Sequence, residues 1–357
     1  MIKLIVVMLA LVLSITIAHA YPSPITEYAE LDVNQNGVVT NADAILVQQC
    51  VFGVFECPEF TEEVVINTGL AGSTSMAFGG DILYIAEQGG GVRTWDGSTL
   101  GTFTTLSVVS TGEFGLDGIA VDGGYLYVNY TTDTPDIHNR VSRFPLAGGG
   151  EEVLIDLDEH GPDTLHAGGA LAFYGGKLYV GTGDSRLYEV AQDLDSTHGK
   201  ILRLNPDGSI PSDNPFSGSP VYAYGFRNPF TMAFRSDGVL YVNDVGEATY
   251  EEINNVVAGG NYGWPQCEGP CATDLQPLYY YNHTQGRAIT GALFYPEPPL
   301  LNQYIFGDFL FSKVWRLDST AKPITVGGLS SPVDFDWYDG KMYGLSRQGE
   351  VYRYTVK

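Results

Sequence analysis

The 357-residue sequence predicts an all-β protein: a six-bladed β-propeller with a small N-terminal helical calcium-loop segment. Three observations predict it. A unit recurs in which an apolar run meets a Gly-rich turn and then a strand of alternating Tyr and aliphatic residues. The composition suits β structure, with 44 Gly, 23 Tyr and 44% hydrophobic against 17% charged residues. Residues 21–60, finally, read differently from everything after them.

In chain order, residues 1–20 (MIKLIVVMLALVLSITIAHA) read as a signal peptide. Lys3 supplies the basic start, Leu4–Ile17 the apolar core and Ala18-His19-Ala20 a small-x-small cleavage site. The apolar run is shorter than the ~20 residues of a membrane span. The expected mature protein is secreted, extracellular or held at the cell surface. Export makes disulfides plausible, and the four cysteines fall into two local pairs, 50–57 and 267–271, the pairing expected among three possibilities.

In residues 21–60, Asp32, Asn34, Asn36, Val38, Thr40 and Asp43 occupy positions 1, 3, 5, 7, 9 and 12 of a loop with Gly37 at position 6. That is the spacing of a twelve-residue calcium loop, with Asp in place of the usual Glu at its end. Ala42–Val51 follows as a helix. The segment resembles one half of a dockerin repeat, and that resemblance implies a cohesin-like partner.

Residues 61–357 carry the repeat. Its examples are MAFGGDILYIAEQ (76–88), GIAVDGGYLYVNY (118–130), ALAFYGGKLYVGTGD (170–184), MAFRSDGVLYVNDVGE (232–247) and FDWYDGKMYGLSRQG (335–349). Their central tyrosines are Tyr84, Tyr127, Tyr179, Tyr241 and Tyr343, and a sixth unit fits around Tyr304–Asp308. Six units of roughly 48 residues match four-stranded propeller blades. Closure of the ring is expected where Glu350–Val356 pairs with a strand near 62–68.

The charge balance narrows the function. Eighteen basic residues face 42 acids, a net −24. Nucleic acid and anionic membranes need clustered Lys and Arg, so neither is an expected partner. Chemistry in a propeller sits on the loops at one end, and four motifs stand there. Leu165-His166-Ala167-Gly168-Gly169 places a His before a strand among glycines that permit close approach of a ligand. Tyr224-Gly225-Phe226-Arg227-Asn228-Pro229 sets an Arg-Asn pair between aromatics; such a pair forks onto carboxylates and carbonyls. Asp244–Asn254 combines Gly246, Glu247, Glu251 and Glu252 in one acidic turn suited to a hard cation. Asn282-His283-Thr284 through Arg287 brings a second His and Arg. Gln88 and Asp184, on loops after their strands, also line the expected site, and Asn129-Tyr130-Thr131 and Asn282-His283-Thr284 are glycosylation sequons.

With Asn139-Arg140, Gly199-Lys200-Ile201-Leu202-Arg203 and Gly259-Gly260-Asn261-Tyr262-Gly263-Trp264-Pro265, these motifs make residues 61–357 resemble the glucose/sorbosone dehydrogenase family. These are soluble aldose dehydrogenases dependent on pyrroloquinoline quinone (PQQ). The resemblance implies oxidation of an aldose C1 hydroxyl to the lactone, with hydride passing to PQQ and electrons to an external acceptor. It implies His166 as general base and Arg227 and Asn228 as quinone contacts. It adds Gln88, His283, Arg287 and Lys313 as further cofactor contacts, and the Gly246 and Glu247 carbonyls as calcium ligands. Many members carry Arg where this chain has Ala170. Soluble glucose dehydrogenases place further cations near Phe294-Tyr295-Pro296 and Ser312–Arg316, where Lys313 is the residue able to reach inward. Two other classes use similar propellers: non-catalytic glycan- or protein-binding modules, and calcium-dependent lactonases. The latter would draw inward acids from Asp117, Asp184, Asp244 and Asp308.

Overall fold

The computed structural model describes residues 60–317, 323–327 and 329–356. The expected signal peptide, the calcium loop (Asp32, Asn34, Asn36, Val38, Thr40, Asp43), its helix and the Cys50–Cys57 pair lie outside them.

Alternating Tyr and aliphatic residues separated by Gly turns produce short antiparallel strands. The first, β1 (Phe60–Ile66), waits for its partner at the far end of the chain. Blade 1 follows as β2 (Ser73–Gly79), β3 (Ile82–Glu87), β4 (Gly91–Trp95) and β5 (Leu100–Thr105). Blade 2 comprises β6 (Leu116–Asp122), β7 (Tyr125–Thr132), β8 (His138–Pro145) and β9 (Glu152–Glu159). Blade 3 is β10 (Gly168–Tyr174), β11 (Lys177–Thr182), β12 (Lys200–Leu204) and β13 (Val221–Tyr224). Blade 4 is β14 (Pro229–Phe234), β15 (Leu240–Asp244), β16 (Tyr250–Val256) and β17 (Tyr279–Asn282). Blade 5 is β18 (Ile289–Phe294), β19 (Tyr304–Asp308), β20 (Lys313–Leu317) and β21 (Pro323–Gly327). Blade 6 has β22 (Pro332–Tyr338), β23 (Lys341–Ser346) and β24 (Val351–Val356), and β1 completes it in the order β1-β24-β23-β22. Phe60 lies opposite Val356 in that closing pair, as the sequence leads one to expect.

The six blades are the six repeats, and the recurring Tyr has a packing reason. Tyr127, Tyr179, Tyr241 and Tyr343 each set a ring against a Phe on the inner strand of the next blade: Phe173, Phe234, Phe294 and Phe78, at centroid distances of 4.7, 4.7, 4.8 and 4.9 Å. The core therefore lies between blades rather than within one sheet. Ala86 and Val92 of blade 1 pack with Leu116 and Val128 of blade 2, and Ile201 of blade 3 packs with Met232 and Val242 of blade 4. The inner strands surround an axial cavity of about 270 Å³ lined by Ser75, Asp117, Ala170, Thr231, Asp334 and Asp336 among others. The Asn129 side chain is fully buried in β7, so the first sequon offers no acceptor to a glycosyl transferase, whereas Asn282 is exposed.

Candidate functional site

The ends of the second strands and the starts of the inner strands meet at one end of the propeller, and the chemistry gathers where blades 3 and 4 join. His166 lies just before β10 in a left-handed conformation, φ 61°, unusual for a residue with a side chain. Neighbouring glycines make room for it: a Cβ on Gly183 would stand 1.9 Å from the His166 carbonyl oxygen. The His166 amide donates to Glu113 Oε2 at 2.7 Å. The Arg227 carbonyl accepts from Asp184 N, tying the entry to blade 4 to blade 3, and the Asn228 carbonyl accepts from Val245 N within blade 4.

Three buried groups form a chain. His166 Nδ1 lies 2.6 Å from Asp184 Oδ1, and Arg227 Nη2 lies 2.6 Å from His166 Nε2. A guanidinium only donates, so Nε2 accepts and Nδ1 carries the proton that it gives to Asp184. Asp184 is fully buried and further held by the Arg186 amide (2.8 Å) and Trp264 Nε1 (2.7 Å). Arg227 is gripped from the other side. Its Nε and Nη2 donate to Glu247 Oε2 and its Nη1 to the Val245 carbonyl (2.8 Å), with the guanidinium 5.7 Å from the Trp264 ring centroid.

Asn228 stands beside this chain. Its Oδ1 accepts from Gly168 N (3.0 Å) and its Nδ2 donates to Glu113 Oε2 (3.2 Å). Beneath, Asp244 accepts from the Arg227 and Asn228 amides. Burial pushes its carboxyl up to about 7, against those two bonds, and burial with the neighbouring Asp244 raises Glu252 to about 8. A cavity of about 10 Å³ behind Arg227, bounded by Asp244, Glu252 and Glu268, has room for one water and no more.

The other expected contacts are placed differently. Gln88 spends its amide on the Gly112 and Phe114 carbonyls and receives Arg347 Nη2, bracing loops of blades 1, 2 and 6. His283 Nε2 meets Glu251 Oε1 at 2.9 Å, and Glu251 Oε2 in turn takes the Gly246 amide (3.2 Å). Lys313 donates to the Gln285 carbonyl and lies near the Phe311 and Trp315 rings, while Arg287 is exposed. Among the described residues, none of His283, Arg287 and Lys313 bonds into the His166–Arg227 chain. The Glu247 carboxylate is engaged by Arg227; the Gly246 and Glu247 carbonyls sit on a tight turn beside it. Nor do the acids of the lactonase alternative converge. Asp117 lines the axial cavity, Asp184 and Asp244 serve the chain above, and Asp308 accepts from Tyr281 and the Phe311 amide. Among the described residues, the one close group of ligand-type side chains is Cys267, Cys271 and Asp274, and its cysteines form the expected disulfide.

Sequence reasoning passed over Glu113, Trp264, Glu268 and Arg347 as participants. Trp264 carried a signal within the Asn261–Pro265 motif. Glu268 lies inside the expected Cys267–Cys271 pair, while Glu113 and Arg347 come from distant loops and carried no signal.

The fold and site define a six-bladed β-propeller that carries a buried Asp–His–Arg chain at one end. The sequence profile of glucose / sorbosone dehydrogenases matches residues 71–299, and the chain belongs to that family. It is 36% identical over 152 residues to aldose sugar dehydrogenase YliI of Escherichia coli (strain K12), covering 36% of this chain and 40% of that protein. It is 49% identical over 81 residues to quinoprotein glucose dehydrogenase B of Acinetobacter calcoaceticus, covering 22% of this chain and 17% of that one. The matched segments thus span less than half the length of these curated relatives. The PQQ-bound aldose sugar dehydrogenase of Streptomyces coelicolor superposes with a TM-score of 0.75 at 24% identity, over 84% of this chain and 100% of the other, a likeness of fold.

Proposed function

We propose that this chain is an exported, PQQ- and calcium-dependent dehydrogenase that oxidises the C1 hydroxyl of an aldose to the lactone and passes electrons to an external acceptor. The Asp184–His166–Arg227 chain carries this reading. The donor set fits the quinone end of the cofactor: Arg227 and Asn228 offer N–H donors beside the imidazole. Cations are fewer for its carboxylates, since Ala170 contributes none and Lys313 is tied to Gln285. Arg347, half-buried and bonded to Gln88 and the Gly72 and Ser73 carbonyls, is a basic group on the same end. Gly246 and Glu247 would hold calcium through their carbonyls. When bound, PQQ supplies a two-electron acceptor for the hydride leaving C1.

The residues of the chain handle the proton. His166 Nε2 takes it from the C1 hydroxyl as the sugar displaces Arg227 Nη2 from that nitrogen. Asp184 accepts from Nδ1 throughout and so stabilises the imidazolium that forms. Glu247 and the Val245 carbonyl keep Arg227 near the reacting oxygens after it leaves Nε2. The test is to titrate the purified protein with PQQ and calcium, following the visible band and aldose-dependent dye reduction. A new band with dye reduction, abolished in His166→Ala, supports the reading. No spectral change and no dye reduction with any aldose overturns it.

A further inference from the structure

The turn that carries Gly246 and Glu247 has little packing of its own: Ala248 and Thr249 are exposed. It is nevertheless held from one point. Glu268 Oε1 accepts four successive backbone amides, from Glu247 (2.9 Å), Ala248 (2.9 Å), Thr249 (2.8 Å) and Tyr250 (3.1 Å). Successive amides converging on one oxygen make an anion nest, here filled by the protein's own carboxylate. Glu268 is presented by a five-residue loop, Cys267–Cys271, closed by the disulfide. The next residue of that loop, Gly269, gives its amide to Glu252 Oε1, so the loop is fastened to β16 as well. From the nest the contacts run inward without a gap: the Glu247 side chain grips Arg227, and Arg227 Nη2 meets His166 Nε2.

We infer that Glu268, held by the Cys267–Cys271 loop, is the positioning residue of the site. It fixes the Glu247–Tyr250 turn, and through Glu247 it fixes where Arg227 stands against His166. Glu268 touches no reacting atom. Its effect is on Arg227, in the loop between β13 and β14, which it reaches through Glu247. The inference rests on the dehydrogenase reading only for what the positioned groups do; the positioning itself belongs to the protein without cofactor and is tested there.

The experiment uses the full chain with neither PQQ nor calcium. Backbone hydrogen exchange is measured in wild type, Glu268→Gln and the double variant Cys267→Ser/Cys271→Ser. Removing the charge or the closure should speed exchange at the 247–250 amides by about tenfold or more, with β14 amides unchanged. A second readout, the ¹⁵N resonance of His166 Nε2, should shift in both variants as Arg227 is released. A loop with a purely structural role would not move it. If Glu268→Gln does not fold, the cysteine variant carries the test. Unchanged exchange at 247–250 overturns the inference, and so does faster exchange with an unmoved His166 resonance. Both signals are read without turnover, so failure of the dehydrogenase assay leaves this result standing, and the reverse.

Discussion

Asp184 shows how much a single buried residue decides. Its Oδ1 faces an Nδ1 that must donate, and its Oδ2 is filled by the Trp264 indole N–H. In Asp184→Asn the side chain keeps its shape, but an amide N–H₂ can turn toward Nδ1. The imidazole then changes tautomer, Nε2 carries the proton, and it can no longer take one from a hydroxyl. On the dehydrogenase reading, kcat should fall on the order of 10³-fold or more with a much smaller change in KM, read by steady-state dye reduction. A drop confined to KM would assign Asp184 to binding instead. His166, Arg227 and Asn228 were legible in the sequence because polar groups enclosed by Gly and aromatics are conspicuous in a chain with 18 bases. Glu113 was not. It lies 53 residues before His166, in a loop with no motif, and its role exists only because the fold brings blades 2, 3 and 4 together.

Among the elements, the turn between β15 and β16 is the one most exposed to a small change. The Gly246 amide donates to Glu251 Oε2, and a Cβ at Gly246 would stand 1.7 Å from the Tyr250 carbonyl oxygen. That contact is with backbone and cannot be relieved by rotating a side chain. Gly246→Ala must therefore open the turn, pulling the Glu247–Tyr250 amides away from Glu268. Overpacking of this kind costs about 1–3 kcal/mol, which urea unfolding would read as a lower midpoint at unchanged slope. A midpoint equal to wild type would mean that the turn relaxes freely and that Glu268 holds it loosely. The strands themselves were legible from period-two patterning and Gly turns. Their partners across blades were not, because Tyr127 meeting Phe173 depends on ring geometry rather than on local sequence.

In the whole molecule, a closed ring depends on the seam where its last blade meets its first. There β22 lays two carboxylates against the free edge of β2. Asp334 Oδ2 accepts from Ser75 Oγ (2.8 Å) and Met76 N (2.9 Å), and Asp336 Oδ2 accepts from Phe78 N (2.7 Å). The repeat count announced the ring, and the terminal strand announced its closure, but nothing local marked these acids as the stitches. Both face the axial cavity, where burial outweighs their hydrogen bonds and raises Asp334 to about 7 and Asp336 to about 6. A carboxyl with a folded pKa above its unfolded value of about 3.9 binds its proton more tightly in the folded state. The stability it contributes is full below about pH 4 and is lost as pH rises through about 6 to 7. Carboxylates held below their usual range, such as Asp156 and Asp158, act in the opposite sense, but only at more acid pH. Between about pH 5 and 8 the raised acids are opposed by His160, whose burial lowers its pKa to about 3 so that it favours the folded state as pH rises toward its unfolded value of about 6.5, and the acids outnumber it. Thermal unfolding across that interval should show Tm falling as pH rises, and the double variant Asp334→Asn/Asp336→Asn, which keeps acceptors for Met76 and Phe78, should flatten the slope. An equal slope in wild type and variant would move the pH sensitivity away from the seam to the other raised acids, Asp117, Asp244, Glu252 and Asp308.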